Sequence, residues 1–129
     1  MFKKSKKIGT VMAALAIAVS LPITAFAASN STKAKGYGTL YGSLTSSGSY
    51  TTSVSENGDN AYLTISGTIQ NKAGSTIATQ NTINSSRGRT SFSGSYNYIP
   101  SGAYAIYGAH GVQGGNTYGA AAVYTYTRA

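Results

Sequence analysis

From Tyr37 onward, apolar and polar residues alternate with a period of two, the mark of strands that cover one face and wet the other. The clearest run is Ala61 to Gln70, where Leu63, Ile65, Gly67 and Ile69 point one way and Tyr62, Thr64, Ser66 and Thr68 the other. The same rhythm predicts strands over Tyr37 to Leu44, Tyr50 to Ser55, Ser75 to Ile83, Thr90 to Tyr98, Ala103 to Val112 and Thr117 to Thr127. Turn-forming residues separate them. Asn57-Gly58 favours a tight hairpin, and Pro100 with Gly102 marks a further turn. Seven strands at this spacing predict an all-β fold, a small antiparallel β-sandwich of Ig-like or Greek-key type, with a small closed β-barrel as the alternative.

The first 27 residues follow a different rule. Lys3, Lys4, Lys6 and Lys7 precede a largely apolar run from Ile8 to Leu21, which is shorter than the ~20 residues of a membrane-spanning helix. Pro22 ends it, and Ala25-Phe26-Ala27 supplies the small residues of a cleavage site. The layout predicts a helical signal peptide over 1–27, cut between Ala27 and Ala28, and a secreted or envelope-associated product with no transmembrane segment. Residues 28–36 are polar and without period, so they are expected as a flexible leader. A single domain over 37–129 completes the organisation.

Composition refines the picture. The chain has ten Lys and Arg against two carboxylates, but removal of the lysine-rich start leaves six cations against Glu56 and Asp59, a net charge of +4. That density is too low for a dedicated nucleic-acid binder. There is no cysteine, hence no disulfide and no lipid-modified cysteine at the cleavage point. An exported, Cys-free domain behind such a leader points to a bacterial source. After residue 27, Leu, Ile, Val and Phe total only 13 residues, whereas all eleven tyrosines fall there, so Tyr must share the core with Ile and Ala. Gly, Ser and Thr are abundant and oppose helix formation.

Candidate chemistry is sparse. Glu56 and Asp59 sit in one turn, which reads as a solvated loop and not as the facing carboxylate pair of a glycosidase. His110 is the sole histidine and there is no cysteine, so no common zinc set is assembled; a Ser-His-Asp triad would need His110 and Asp59 to meet beside a serine, and no G-x-S-x-G is present. No cofactor is implied, and the protein is expected not to be an enzyme. His110, between Gly108 and Gly111, is a candidate pH-sensitive binding contact. Arg87-Gly88-Arg89 is the one basic cluster of the folded part, suited to an anionic group. Tyr62 and Tyr107, out of phase with their strands' aliphatic residues, are the candidate exposed rings for stacking on sugars or anchoring a protein contact.

These features point to a secreted, non-enzymatic protein acting at the bacterial cell envelope or matrix by binding or by assembly. The implied partners are a cell-wall polysaccharide, another envelope protein or further copies of itself through strand edges. The layout of a signal peptide followed by a small, Cys-free, Gly/Tyr/Ser-rich β domain is also loosely similar to lactococcin-972-like bacteriocins. That resemblance implies, as the alternative, a secreted antimicrobial protein. The chain contains no tryptophan.

Overall fold

The computed structural model describes residues 28–129. The expected signal peptide, with Ala25 and Ala27 of its cleavage site, lies outside the described residues. Eight strands follow one another: β1 Ser29–Ala34, β2 Gly38–Leu44, β3 Ser49–Val54, β4 Tyr62–Gln70, β5 Thr76–Asn84, β6 Ser91–Ser95, β7 Ala105–Gln113 and β8 Ala121–Arg128. They form two four-stranded antiparallel sheets, β1-β2-β3-β6 and β5-β4-β7-β8, and no helix occurs among the described residues.

The inward-pointing residues of the two sheets meet. Leu40 and Val54 of the first sheet pack with Leu63, Val112 and Val123 of the second. Further along, Leu44 and Tyr50 pack with Ile65, Ile69 and Ile106. Tyr96, just beyond β6, completes this second cluster and sends its hydroxyl across to the carbonyl of Tyr107 at 2.7 Å. A tyrosine can therefore fill core volume where aliphatics are few, because its polar end finds an acceptor on the opposite sheet.

Four connections stay within a sheet and three cross between sheets. The turn around Asn57-Gly58, expected to close a hairpin, is one of the crossings: β3 and β4 lie in different sheets. Asn57 directs the chain there with its side chain, accepting from the Ala61 amide at 3.1 Å and donating to the carbonyls of Ala61 (2.9 Å) and Arg89 (2.7 Å). Asn60 takes the left-handed backbone conformation at φ 62°.

Residues 29–34, expected as part of a flexible leader, form β1 and pair with β2 from Ser29↔Ser43 to Ala34↔Gly38. Backbone hydrogen bonds carry this strand, since only Ala34 of its side chains is buried, which is why no alternation announces it. In β5, the register with β4 shifts twice. The bulges put Ile83 against the core and leave Ile77 exposed, although the two share a phase in a regular strand.

The strand edges are closed by side chains. On one side Asn30 of β1 donates to the Tyr124 carbonyl of β8 at 3.0 Å. On the other the amide of Asn97, beyond β6, donates to the buried Gln80 of β5 at 2.7 Å. β5 is bent by its bulges and β6 is only five residues long, so these two edges offer little regular ladder for strand addition.

Close packing yields a sharp test at Gly67 in the middle of β4. A Cβ there would overlap both the Tyr107 carbonyl oxygen and the Tyr96 hydroxyl, one of them backbone in a central strand. Gly67→Ala is expected to destabilise the fold by about 3 kcal/mol, the upper part of the range for overpacking. Urea unfolding of the variant measures this, and a loss under about 0.5 kcal/mol, the size of an ordinary surface substitution, would contradict the packing described.

Candidate functional site

Two of the residues singled out from the sequence come together. Arg87 lies in the β5–β6 crossing and donates from Nη1 to the carbonyls of Asn60 (3.1 Å) and Gly114. Its guanidinium also stacks over the Tyr62 ring, 5.0 Å from the centroid. Tyr62 is consequently half-buried beneath Arg87 instead of standing open on β4. The arrangement joins three loops and commits Nη1 of the guanidinium that was expected to meet an anion. Arg89 is exposed, and its carbonyl is held by Asn57.

Tyr107 does point away from the aliphatic core, as its phase requires, but it is only 5% exposed. Tyr126 of β8 lies directly opposite in register, with ring centroids 5.1 Å apart. Tyr104 and Tyr124 pack against the same cluster. A central strand whose neighbours also bear tyrosines buries its outward ring by lateral stacking, which strand phase alone does not reveal.

His110 is fully buried between the sheets. Nδ1 lies 3.0 Å from Thr52 Oγ1 of β3 and Nε2 lies 2.8 Å from Thr125 Oγ1 of β8. The Thr52 hydroxyl already gives its one proton to the Thr64 carbonyl at 3.0 Å. Towards the imidazole it can only accept, so Nδ1 carries the proton and Nε2 accepts from Thr125. Burial pushes the imidazole pKa down to about 4, against a smaller opposing effect of the Thr51 backbone. Gly42 clears the space above the ring, because a Cβ there would overlap His110 itself. His110 is thus a neutral bridge between the sheets and not a surface contact.

Sequence reasoning missed Asp59. In place of a solvated turn residue, it is 7% exposed and accepts from the Tyr37 hydroxyl (2.9 Å) and the amides of Thr117 (2.9 and 3.0 Å) and Tyr118 (2.9 Å). The backbone donor of Tyr118 leads the effects that hold its carboxyl below the usual carboxylate range. Burial, and then the bond to Asp59, push the Tyr37 phenol up to about 12. Because Asp59 holds residues 117 and 118 in a loop, β8 begins at Ala121 and not at Thr117 as the alternation predicts. The donors lie 58 and 59 residues away, so no local spacing announces the site.

One further surface is the outward face of the β1-β2-β3-β6 sheet. One row across the strands reads Ser29, Ser43, Thr51, Ser93, and the next reads Ser31, Tyr41, Ser53, Ser91. Lys33 with Thr39, and Ser49 with Ser95, complete its ends. Thr51 and Ser93 bond to each other at 2.9 Å. Tyr41 is 39% exposed in the middle of this hydroxyl grid.

Among the described residues, no three of His, Asp and Glu come together as metal ligands, and no helix is long and apolar enough to cross a membrane. Comparisons with protein-family models, with curated proteins and with solved structures returned no match.

The buried imidazole gives a pH dependence with a defined sign. Between its ordinary value of 6.5 and about 4, the unfolded chain takes up a proton that the native state refuses. Stability is therefore complete above 6.5 and is expected to fall by about 3 kcal/mol as the pH drops to about 4. Urea titrations across this window measure the slope, which His110→Asn is expected to remove. A flat wild-type profile is incompatible with a buried neutral histidine. The contribution of Asp59, whose folded pKa is depressed, has the opposite reference: it is present above the usual carboxylate range and is lost as pH falls through the lowered value. In Asp59→Asn, hydrogen exchange at the Thr117 and Tyr118 amides is expected to accelerate relative to that of the β7 amides. Unchanged protection would show that the carboxylate does not hold the loop.

Proposed function

We propose that the protein is a secreted, non-enzymatic β-sandwich that acts at the bacterial cell envelope by binding wall material. In its finer class the fold is Ig-like: β2, β3 and β6 take the places of strands A, B and E, and β5, β4, β7 and β8 those of C′, C, F and G, with β1 added beside A. The observation that carries the functional reading is the disposition of polar groups. His110 and Asp59, the groups best suited to acid–base work, are each committed to interior hydrogen bonds. What faces solvent instead is an extended hydroxyl surface together with scattered cations, and Glu56 is the one exposed carboxylate among the described residues. A cationic domain of this kind is attracted to an anionic wall without needing a deep pocket.

The reading is tested by expressing the full chain in a bacterial host and fractionating the culture. The product is expected to begin at Ala28, to sediment with purified walls at low ionic strength and to be partly released by salt. Recovery in the cytoplasm with the leader intact, or free passage through a wall suspension at low salt, would overturn it. Growth inhibition of neighbouring cells by the purified product, without wall retention, would transfer the assignment to an antimicrobial protein.

A further inference from the structure

We infer that the outward face of the β1-β2-β3-β6 sheet is a binding surface for an extended sugar polymer, the glycan strand of the wall, with Tyr41 as its stacking ring. The inference rests on the wall-binding reading above and assigns that activity to one face. Each of the four strands presents three outward positions, and of these only Tyr41 and Lys33 are not Ser or Thr. Here there is no carboxylate, and the single cation stands at one end beside Thr39.

The geometry suits a polymer of hydroxylated rings. Strand spacing sets rows about 4.8 Å apart across the sheet, and the two-residue repeat sets hydroxyls about 6.8 Å apart along each strand. Every Ser or Thr hydroxyl both donates and accepts, as does every sugar hydroxyl, so the two surfaces can pair in either sense. Serine and threonine have little rotamer freedom to lose on binding, unlike lysine and glutamate. The Tyr41 ring, with Ser31 and Ser53 as its direct cross-strand neighbours, offers the apolar face against which the C–H side of a sugar ring packs. The absence of carboxylates from the grid and the Lys33 ammonium at its end avoid repulsion from an anionic wall.

Two substitutions and a control test the assignment by sedimentation of the full-chain protein with peptidoglycan sacculi stripped of accessory polymers. Tyr41→Ala removes the ring, and Ser93→Glu introduces a carboxylate in the grid. Both positions are exposed, so folding, followed by thermal melting, is expected to change little. Tyr98→Ala, at the most exposed tyrosine and outside the grid, is the control. Retention by sacculi is expected to weaken about tenfold in each grid variant and to stay at the wild-type level in Tyr98→Ala. Wild-type retention by both grid variants overturns the face assignment while leaving the wall-binding reading intact. No retention of the wild-type protein overturns both. A dimer abolished by Ser93→Glu, with retention by sacculi unchanged, assigns the face to a second copy of the chain and also overturns the inference.

Discussion

The bridge through His110 is the constraint around which the interior is arranged. An imidazole without water must be neutral, and each ring nitrogen must meet a partner of the right sense. Thr125 supplies one from the neighbouring strand of the same sheet and Thr52 the other from the opposite sheet, so the Thr52 contact ties the two sheets together at this point. Aliphatic contacts are far less directional and tolerate sliding. The bridge also explains small residues that otherwise look like gaps in strands. Gly42 on β2 faces the ring, and a Cβ at Gly108 would crowd both Nε2 and the Thr125 hydroxyl.

A second polar hub closes one end of the core. Asp59 gathers donors from the β1–β2 turn and the β7–β8 loop, and the Tyr37 ring packs edge-on to Tyr118 at 6.0 Å. The sparse aliphatic core is therefore completed by directional bonds, with the rings of Tyr37 and Tyr96 supplying volume and their hydroxyls supplying links. The arrangement has a thermodynamic consequence. Both hubs are weakened by acid, His110 because its neutral form is required and Asp59 because its charged form is, so the acidic limb of the stability curve is steeper than apolar packing alone would make it.

Much of the strand content was legible because a period of two is imposed locally by the pleat. The inward set on β4, Leu63 to Ile69, sits where alternation puts it. What depends on distant partners was not legible. The Asn57-Gly58 turn is compatible with a hairpin until one knows that β3 pairs with β6, 38 to 46 residues along the chain by the registers Ser53↔Ser91 and Ser49↔Ser95. Asp59 looks solvated until the β7–β8 loop is brought to it. Tyr107 was assigned the correct face and the wrong exposure, because Tyr126 and its neighbours cover it. β1 lacked any apolar rhythm, since a backbone ladder needs none. His110, expected as a binding contact, is buried because Thr52 and Thr125 occupy both its nitrogens, partners 58 and 15 residues away that local spacing does not announce.

The two outward faces of the molecule divide along the same logic. On the β5-β4-β7-β8 sheet, tyrosines stand in cross-strand register and bury one another, so their apolar area is spent internally. On the β1-β2-β3-β6 sheet, Tyr41 has serines as both direct cross-strand neighbours and no ring beside it in the row, so its surface stays open. Of the edges, β5 is interrupted by its bulges, and Asn30 of β1 and Gln80 of β5 each make one side-chain bond across to the other side of the sandwich. Interaction by strand addition would first have to break those side-chain bonds, whereas contact through the hydroxyl face disturbs no hydrogen bond of the fold beyond the exposed Thr51–Ser93 pair. The face is therefore the lower-cost route by which this domain can meet an extended partner.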